Sequence, residues 1–210
     1  MSRETILVTG GAGYIGSHTI IELIAAGFGV VVIDNLANAS HESLRRVETI
    51  TGTAIPFVKA DVRDRSALDA IFTKHDISAV IHFAGLKAVG ESVEKPLEYY
   101  DCNLSSTLTL LAAMRQHRVQ QLVFSSSATV YGTPESLPLT ESSRIGTGIT
   151  NPYGWTKYMI EQIIRDYCTA HPYFQATILR YFNPIGAHIS GMIGEDPNGI
   201  PNNLLPYVCL

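Results

Sequence analysis

The chain has 210 residues, 46% of them hydrophobic and 16% charged, with a formal net charge of −4. That supply of apolar side chains suffices for a buried core and excludes a disordered chain; the acidic balance, with no Lys/Arg cluster, excludes a nucleic-acid surface. Three cysteines, Cys102, Cys168 and Cys209, stand far apart, so neither a disulfide framework nor a metal site is expected.

Apolar runs and helical patterns alternate along the chain. Residues 1–5 lack a signal-peptide pattern and lead into a first strand, Ile6-Leu7-Val8. A helix is predicted from Tyr14 to Ala26, closed by Gly27. Val30–Ile33 is a second strand, uninterrupted by polar residues, as a strand covered on both faces requires. The apolar stretch from Leu23 to Ile33 is shared by these two elements and is too short to span a bilayer, so a cytoplasmic chain without a membrane partner is expected. Further strands are predicted at Ile55–Val58, Ala79–Phe83, Leu122–Phe124 and Ala176–Leu179, with helices at Ser43–Ile50, Ser66–Lys74, Pro96–Gln116 and Pro152–Ala170. Strict alternation means βαβ units, an α/β fold with a doubly wound, Rossmann-like parallel sheet. A loop from Gly132 to Asn151, rich in Pro, Ser, Thr and Gly, has the length of a functional loop. Beyond Arg180 prolines and glycines become frequent and the βα pattern stops, so residues 1–183 are read as a nucleotide-binding domain and 184–210 as the beginning of a smaller substrate domain, cut short.

Between the first strand and first helix lies Thr9-Gly10-Gly11-Ala12-Gly13-Tyr14-Ile15-Gly16, which fits both Gly-x-Gly-x-x-Gly and Gly-x-x-Gly-x-x-Gly. Glycines permit the tight turn and the close approach of a pyrophosphate, and the helix N-terminus offers free N–H groups. Asp34 follows Gly16 by eighteen residues at the end of the second strand, where a carboxylate accepts ribose hydroxyls and repels a 2′-phosphate. NAD rather than NADP is therefore expected. A turn that merely packs helix on strand would look the same in isolation. Asp61-Val62 after the third strand and Phe83-Ala84-Gly85 after the fourth extend the site toward adenine and pyrophosphate, although Asp61 also suits an ordinary turn.

Tyr153 and Lys157 stand four apart at the start of a helix and share one face. A nearby ammonium, and the positive ring of NAD, would favour the phenolate and bring its pKa down toward neutrality. Such pairs are common on solvated helix faces; the position of this one is informative, because the strand before it ends in Ser125-Ser126-Ser127, at the crevice where doubly wound sheets bind ligands. Ser127 can hydrogen-bond a reacting hydroxyl, with Tyr153 as general base. His82, inside an apolar strand, and His18, on the first helix, are read as core residues.

The blocks Val8–His18, His82–Ser92, Ser125–Gly132, Arg180–Pro184, Gly194–Pro197 and Pro201–Leu204 together resemble the UDP-glucose 4-epimerases of the extended short-chain dehydrogenase/reductase family. The resemblance runs the length of the chain. It implies that Tyr153 takes the proton of the sugar 4-hydroxyl while hydride passes to tightly bound NAD. The 4-keto sugar then turns over and receives the hydride on its other face. It further implies that Gly10, Gly13, Tyr14, Ile15, Gly16, Asp34, Asn35, Asp61, Val62, Phe83, Ala84, Lys87, Asn103, Ser125, Tyr153, Lys157, Tyr181 and Phe182 line the cofactor, and that Ser127, Thr129, Tyr153, Asn183, Asn202 and Asn203 contact a UDP-sugar. A homodimer through the Pro96–Gln116 and Pro152–Ala170 helices is implied too; Leu104, Leu108, Leu111 and Met114 form a stripe at helical spacing that suits either that interface or the sheet. Two departures from the family pattern are Trp155-Thr156 inside the Tyr–Lys motif and Cys102 before Asn103, which leaves open which of those two faces the cofactor.

Three other functions share parts of this pattern. A nucleotide-sugar 4,6-dehydratase needs an acid and a base after the fifth strand, and Ser127-Ala128-Thr129 offers no carboxylate. An epimerase of UDP-xylose, UDP-glucuronate or N-acetylhexosamine forms stays open, as does a non-catalytic NAD-binding protein on the same sheet.

Overall fold

The structure, a computed structural model, describes residues 3–196 and Val208. Six parallel strands form one sheet in the order β3-β2-β1-β4-β5-β6: β1 Thr5–Thr9, β2 Gly29–Asp34, β3 Phe57–Lys59, β4 Ile77–His82, β5 Gln121–Ser127 and β6 Gln175–Tyr181. The order reverses between β1 and β4, whose carboxyl ends, Thr9 and His82, lie in register. A crevice at such a reversal is where open α/β sheets bind ligands.

The alternation of side chains along β1 and β2 builds two cores. Ile6, Val8, Val30 and Val32 face α1 (Tyr14–Ala25) and α2 (His41–Thr51). Leu7, Val31 and Ile33 face the opposite layer of α3 (Arg65–Lys74), α6 (Ser106–Gln116) and α7 (Pro152–Ala170). Each wholly buried Leu or Ile contributes about 1.5–3 kcal/mol, so these strands are held from both sides, as their unbroken apolar runs require. Ser40 and Asp64 cap α2 and α3 through their side chains, which starts each helix one or two residues before the apolar pattern does.

The expected elements are all present, with four differences. Ile55 is buried but lies outside β3; the Pro56 carbonyl, rather than an Ile55 ladder bond, accepts from Val32. β5 runs on through all three serines. A short helix, α4 (Val89–Glu94), precedes the predicted Pro96–Gln116 helix, and that helix is three pieces: α5 (Pro96–Tyr100), a π-helical turn (Asp101–Ser105) and α6. Finally, the apolar stripe divides. Leu111 and Met114 belong to the core, Leu104 packs partly against it, and Leu108 is half exposed. Among the described residues no helix is long and apolar enough to cross a membrane.

Candidate active site

The glycine turn is fitted to the end of β4. Gly10 has φ of +68°, and a Cβ there would lie 2.6 Å from the Ala84 nitrogen; one on Gly16 would lie 2.4 Å from the Gly10 oxygen. Neither position tolerates a side chain. Gly13 differs, since a Cβ there would meet only the Gly10 oxygen, at 3.4 Å. Space beside its backbone is what a pyrophosphate cradle needs. α1 begins at Gly13 with no side-chain cap, so its first N–H groups are available to an anion. Asp34, 8% exposed, accepts from the Ala12 N–H at 3.1 Å and the Leu36 N–H at 2.8 Å. It thus holds the glycine loop while keeping lone pairs for a ribose. Burial raises its pKa and these two N–H bonds oppose the rise. At the adenine end, Asp61 accepts from Asn35 and from the Arg63 guanidinium, which also pairs with Asp101. The Arg63 bond, foremost, holds the Asp61 carboxyl down to about 2. Val62 beside it is buried.

A directional hydrogen-bond chain joins this turn to the catalytic helix. Thr107 Oγ1 donates to the Asn103 carbonyl (3.0 Å), so it accepts from His82 Nε2 (3.1 Å). Burial, helped by the nearby Lys157 charge, holds the His82 pKa down to about 3. The ring is therefore neutral, with its hydrogen on Nε2, and Nδ1 accepts from Thr9 Oγ1 (2.7 Å), which in turn accepts the Ala84 N–H (3.2 Å). His82 is a core residue, as its apolar strand implies, but one that fastens two ligand loops. Asn103, 2% exposed on the π-helical turn, accepts from Leu86 N and donates to Leu86 O and to Thr156 Oγ1. Both of its amide hydrogens are committed to the protein, and its bonds to Leu86 shape the loop that carries Phe83, Ala84 and Lys87.

Tyr153, Lys157 and Ser127 converge at the carboxyl end of β5. The Asn151 side chain caps α7 by accepting from Gly154 N at 2.8 Å, which aims the first turn, with Tyr153, into the crevice. Lys157, 5% exposed, donates to the Ser125 carbonyl at 2.7 Å, its Nζ 5.8 Å from the centre of the Tyr153 ring. Ser127 caps the 3-10 turn Ala128–Tyr131 by accepting from Thr129 N, and it acts on Tyr153 in the direction that favours the phenolate. One expectation is reversed here. Burial raises the Tyr153 pKa, and Ser127 only partly opposes the rise. Burial lowers the ammonium instead, to about 8. Desolvation outweighs the four-residue spacing. Thr129 Oγ1, beside Ser127 in sequence, is buried without a hydrogen-bond partner among the described residues, an unsatisfied group that a substrate hydroxyl would complete.

The chain leaving β6 is tied back to α1 and α2. Tyr14 Oη donates to the Gly186 carbonyl at 2.6 Å, Arg46 to the Met192 carbonyl at 2.9 Å, and Ile193 is buried in the core beneath α1 and α2. Lys87 reaches Glu195 at 3.4 Å. Tyr181 ends β6, half-buried; Phe182 and Asn183 are exposed after it, and the Ile15 side chain is half-buried at the turn. Asn202 and Asn203 lie outside the described residues. Glu161, which no motif singles out, meets Ser126 and Arg180 on the inner side of α7. The available signal was a glutamate on the inward face of α7, one turn past Lys157.

Residues 6–209 match the NAD dependent epimerase/dehydratase family. The chain is 62% identical over 203 residues to a UDP-glucose 4-epimerase of Haemophilus influenzae, covering 97% of this chain and 60% of that protein. It is 61% identical over 211 residues to one of Mus musculus, covering 98% and 60%. A crystal structure of the Bifidobacterium longum UDP-glucose 4-epimerase with NAD+ and UDP superposes with a TM-score of 0.95 at 57% identity, over 97% of this chain and 61% of that one. The chain thus spans about 60% of the length of the curated relatives it matches. With a glycine turn at the sheet's reversal point and a Ser–Tyr–Lys group beside it, matched over nearly every residue, this chain is a member of the NAD dependent epimerase/dehydratase family.

Proposed function

We propose that the protein interconverts UDP-glucose and UDP-galactose at sugar carbon 4 through a 4-keto intermediate, holding NAD throughout. The observation that carries this reading is the convergence of Tyr153, Ser127 and Lys157 at the crevice, in a chain so similar to UDP-glucose 4-epimerases. The open Gly13, the uncapped α1 and the Asp34 carboxylate fit the pyrophosphate and ribose of a dinucleotide. When bound, NAD supplies a hydride acceptor and donor at carbon 4 and a positive ring beside the phenol. Tyr153 Oη takes the proton of the 4-hydroxyl and returns it at the end of the cycle. Ser127 Oγ hydrogen-bonds that hydroxyl and keeps it in line with Tyr153. Lys157 Nζ, braced on the Ser125 carbonyl, donates to the cofactor ribose. Phe182 borders the nicotinamide, and Thr129, Asn183, Asn202 and Asn203 take the UDP-sugar, with residues 184–210 beginning the part that binds it.

Conversion of UDP-galactose to UDP-glucose without added NAD, by protein in which the substrate domain begun at residue 184 is whole, is the expected result. No conversion by protein carrying stoichiometric NAD would overturn the reading. Homodimerisation belongs to the same reading. Leu97, Leu108 and Met159, on α5, α6 and α7, are exposed apolar side chains of the kind that line an interface. Light scattering should give twice the chain mass at micromolar concentration, and Leu108→Glu with Leu97→Glu should give monomers; a monomeric parent protein refutes the interface.

A further inference from the structure

We propose that the buried pair Glu161–Arg180 is the positioning device that holds Ser127 and Tyr153 in reacting register, a role that rests on the Tyr153 chemistry proposed above. Glu161 is 0% exposed, two turns after Tyr153 on α7, and the i, i+4, i+8 spacing puts Tyr153, Lys157 and Glu161 along one helix face. Its Oε1 accepts from Ser126 Oγ at 2.6 Å and Arg180 Nε at 3.0 Å; its Oε2 accepts from Arg180 Nη2 at 2.8 Å. Arg165 approaches the same oxygen at 3.6 Å.

Each donor leads to a different side of the reacting group. Ser126 and Arg180 face each other in register on β5 and β6, one residue before the Ser127–Tyr181 pair. A carboxylate gripping both therefore sets the depth at which α7 rests on β5, and with it the gap between Tyr153 and Ser127. The third guanidinium nitrogen, Nη1, donates to Tyr131 Oη at 2.9 Å and the Glu141 carbonyl at 3.3 Å, and the guanidinium lies 4.9 Å from the Tyr131 ring centre. Tyr131 closes the 3-10 turn that Ser127 caps. Glu141 lies in the loop that returns to Asn151, the cap of α7 immediately before Pro152 and Tyr153. One ion pair thus ties together β5, β6, the turn after Ser127 and the loop before Tyr153. A two-pronged Arg–carboxylate bond is geometrically demanding, which suits a device whose product is orientation. Reacting groups displaced by about 1 Å lose roughly a hundredfold in rate.

The test uses Tyr131→Phe, which removes one hydrogen bond only, then Arg180→Lys, which keeps the charge and loses the fork, and Glu161→Gln. The turnover number on UDP-galactose should fall by about tenfold in Arg180→Lys and up to about a hundredfold in Glu161→Gln, with KM and NAD content unchanged. Tyr131→Phe should fall less, in the same pattern. A role confined to stability lowers the melting temperature but leaves turnover per folded molecule at the parent value, and that result overturns the proposal; so does full activity in Arg180→Lys, which would mean that charge alone suffices. Amide hydrogen exchange reads the same idea without substrate. Exchange should quicken at residues 128–132 and 153–157 in Glu161→Gln while β1 and β2 stay protected, and unchanged exchange in those two segments overturns the proposal even if the parent protein proves to act on another substrate. Parent protein inactive on every UDP-hexose, with the exchange pattern as expected, would instead remove the epimerase reading alone.

Discussion

Burial acts on Tyr153 and Lys157 in opposite chemical senses: it keeps the phenol protonated and urges the ammonium to lose its proton. Both shifts work against the phenolate that a general base requires. The missing pull is the positive ring of NAD, and linkage makes this measurable. If NAD lowers the Tyr153 pKa, NAD must bind the phenolate form more tightly, so its affinity rises with pH. The sign is the same for Lys157, whose deprotonation near pH 8 also relieves a positive charge, so the phenol's share has to be isolated. Calorimetry across pH 6–10 (roughly the span between neutrality and a free phenol's pKa) should show a steeper rise in the parent protein than in Tyr153→Phe. Identical slopes would show that the ring does not reach Tyr153. The same variant should keep NAD binding at neutral pH and lose at least about a hundredfold in turnover, the scale of a missing general base. Near-normal turnover would move the proton to Ser127.

Elements differ in how far the sequence announces them. β1, β2 and β4 are readable because both their faces are covered, which demands unbroken apolar runs. The glycine turn and the Tyr–Lys pair are readable because each is contiguous. α4 is six residues long, too short for a period to show. The π-helical turn is invisible for another reason. It depends on Asn103 reaching Leu86 and Thr156, and Thr156 is 53 residues away. Glu161 was hidden likewise, its partner Arg180 lying on a strand that follows. The segment after β6 belongs with these: its proline and glycine content suggests a departure from the domain, yet it is fastened to α1 by Tyr14 and to α2 by Arg46. Tyr14 belongs to the glycine turn, so this fastening should slow cofactor release. Each hydrogen bond contributes about 1 kcal/mol, so Tyr14→Phe combined with Arg46→Ala should speed NAD dissociation by roughly ten- to thirtyfold. A chase with unlabelled NAD measures this, and an unchanged rate would mean that the segment's fastening has no bearing on the cofactor.

At the scale of the whole molecule, the crevice lies where two differently built halves meet. The Asp34 and glycine-turn side is held by the core under α1 and α2, the Lys157 side by the core under α6 and α7. A dinucleotide touching both halves binds only the folded arrangement, so it should stabilise the fold as one unit. At a hundred times its dissociation constant a ligand adds about 2.7 kcal/mol, which for a chain of this size raises the melting temperature by roughly 5–10 °C. NADP should not do the same. Asp34 is nearly buried and is fixed by the Ala12 and Leu36 N–H groups, so it cannot swing away from a 2′-phosphate. Two charges about 4 Å apart in surroundings of effective dielectric near 20 repel by about 4 kcal/mol, on the order of a thousandfold in affinity. Burial works against this selectivity at low pH, because it raises the Asp34 pKa, and a protonated Asp34 repels nothing. Discrimination should therefore be fully present at neutral pH and weaken as pH falls through the raised carboxyl pKa. A thermal-shift series with both cofactors at neutral and acidic pH tests each part. Equal shifts at neutral pH would remove Asp34 as the selective group, whereas a ratio unchanged by acid would place the selectivity in the shape of the loop around Leu36 rather than in the charge.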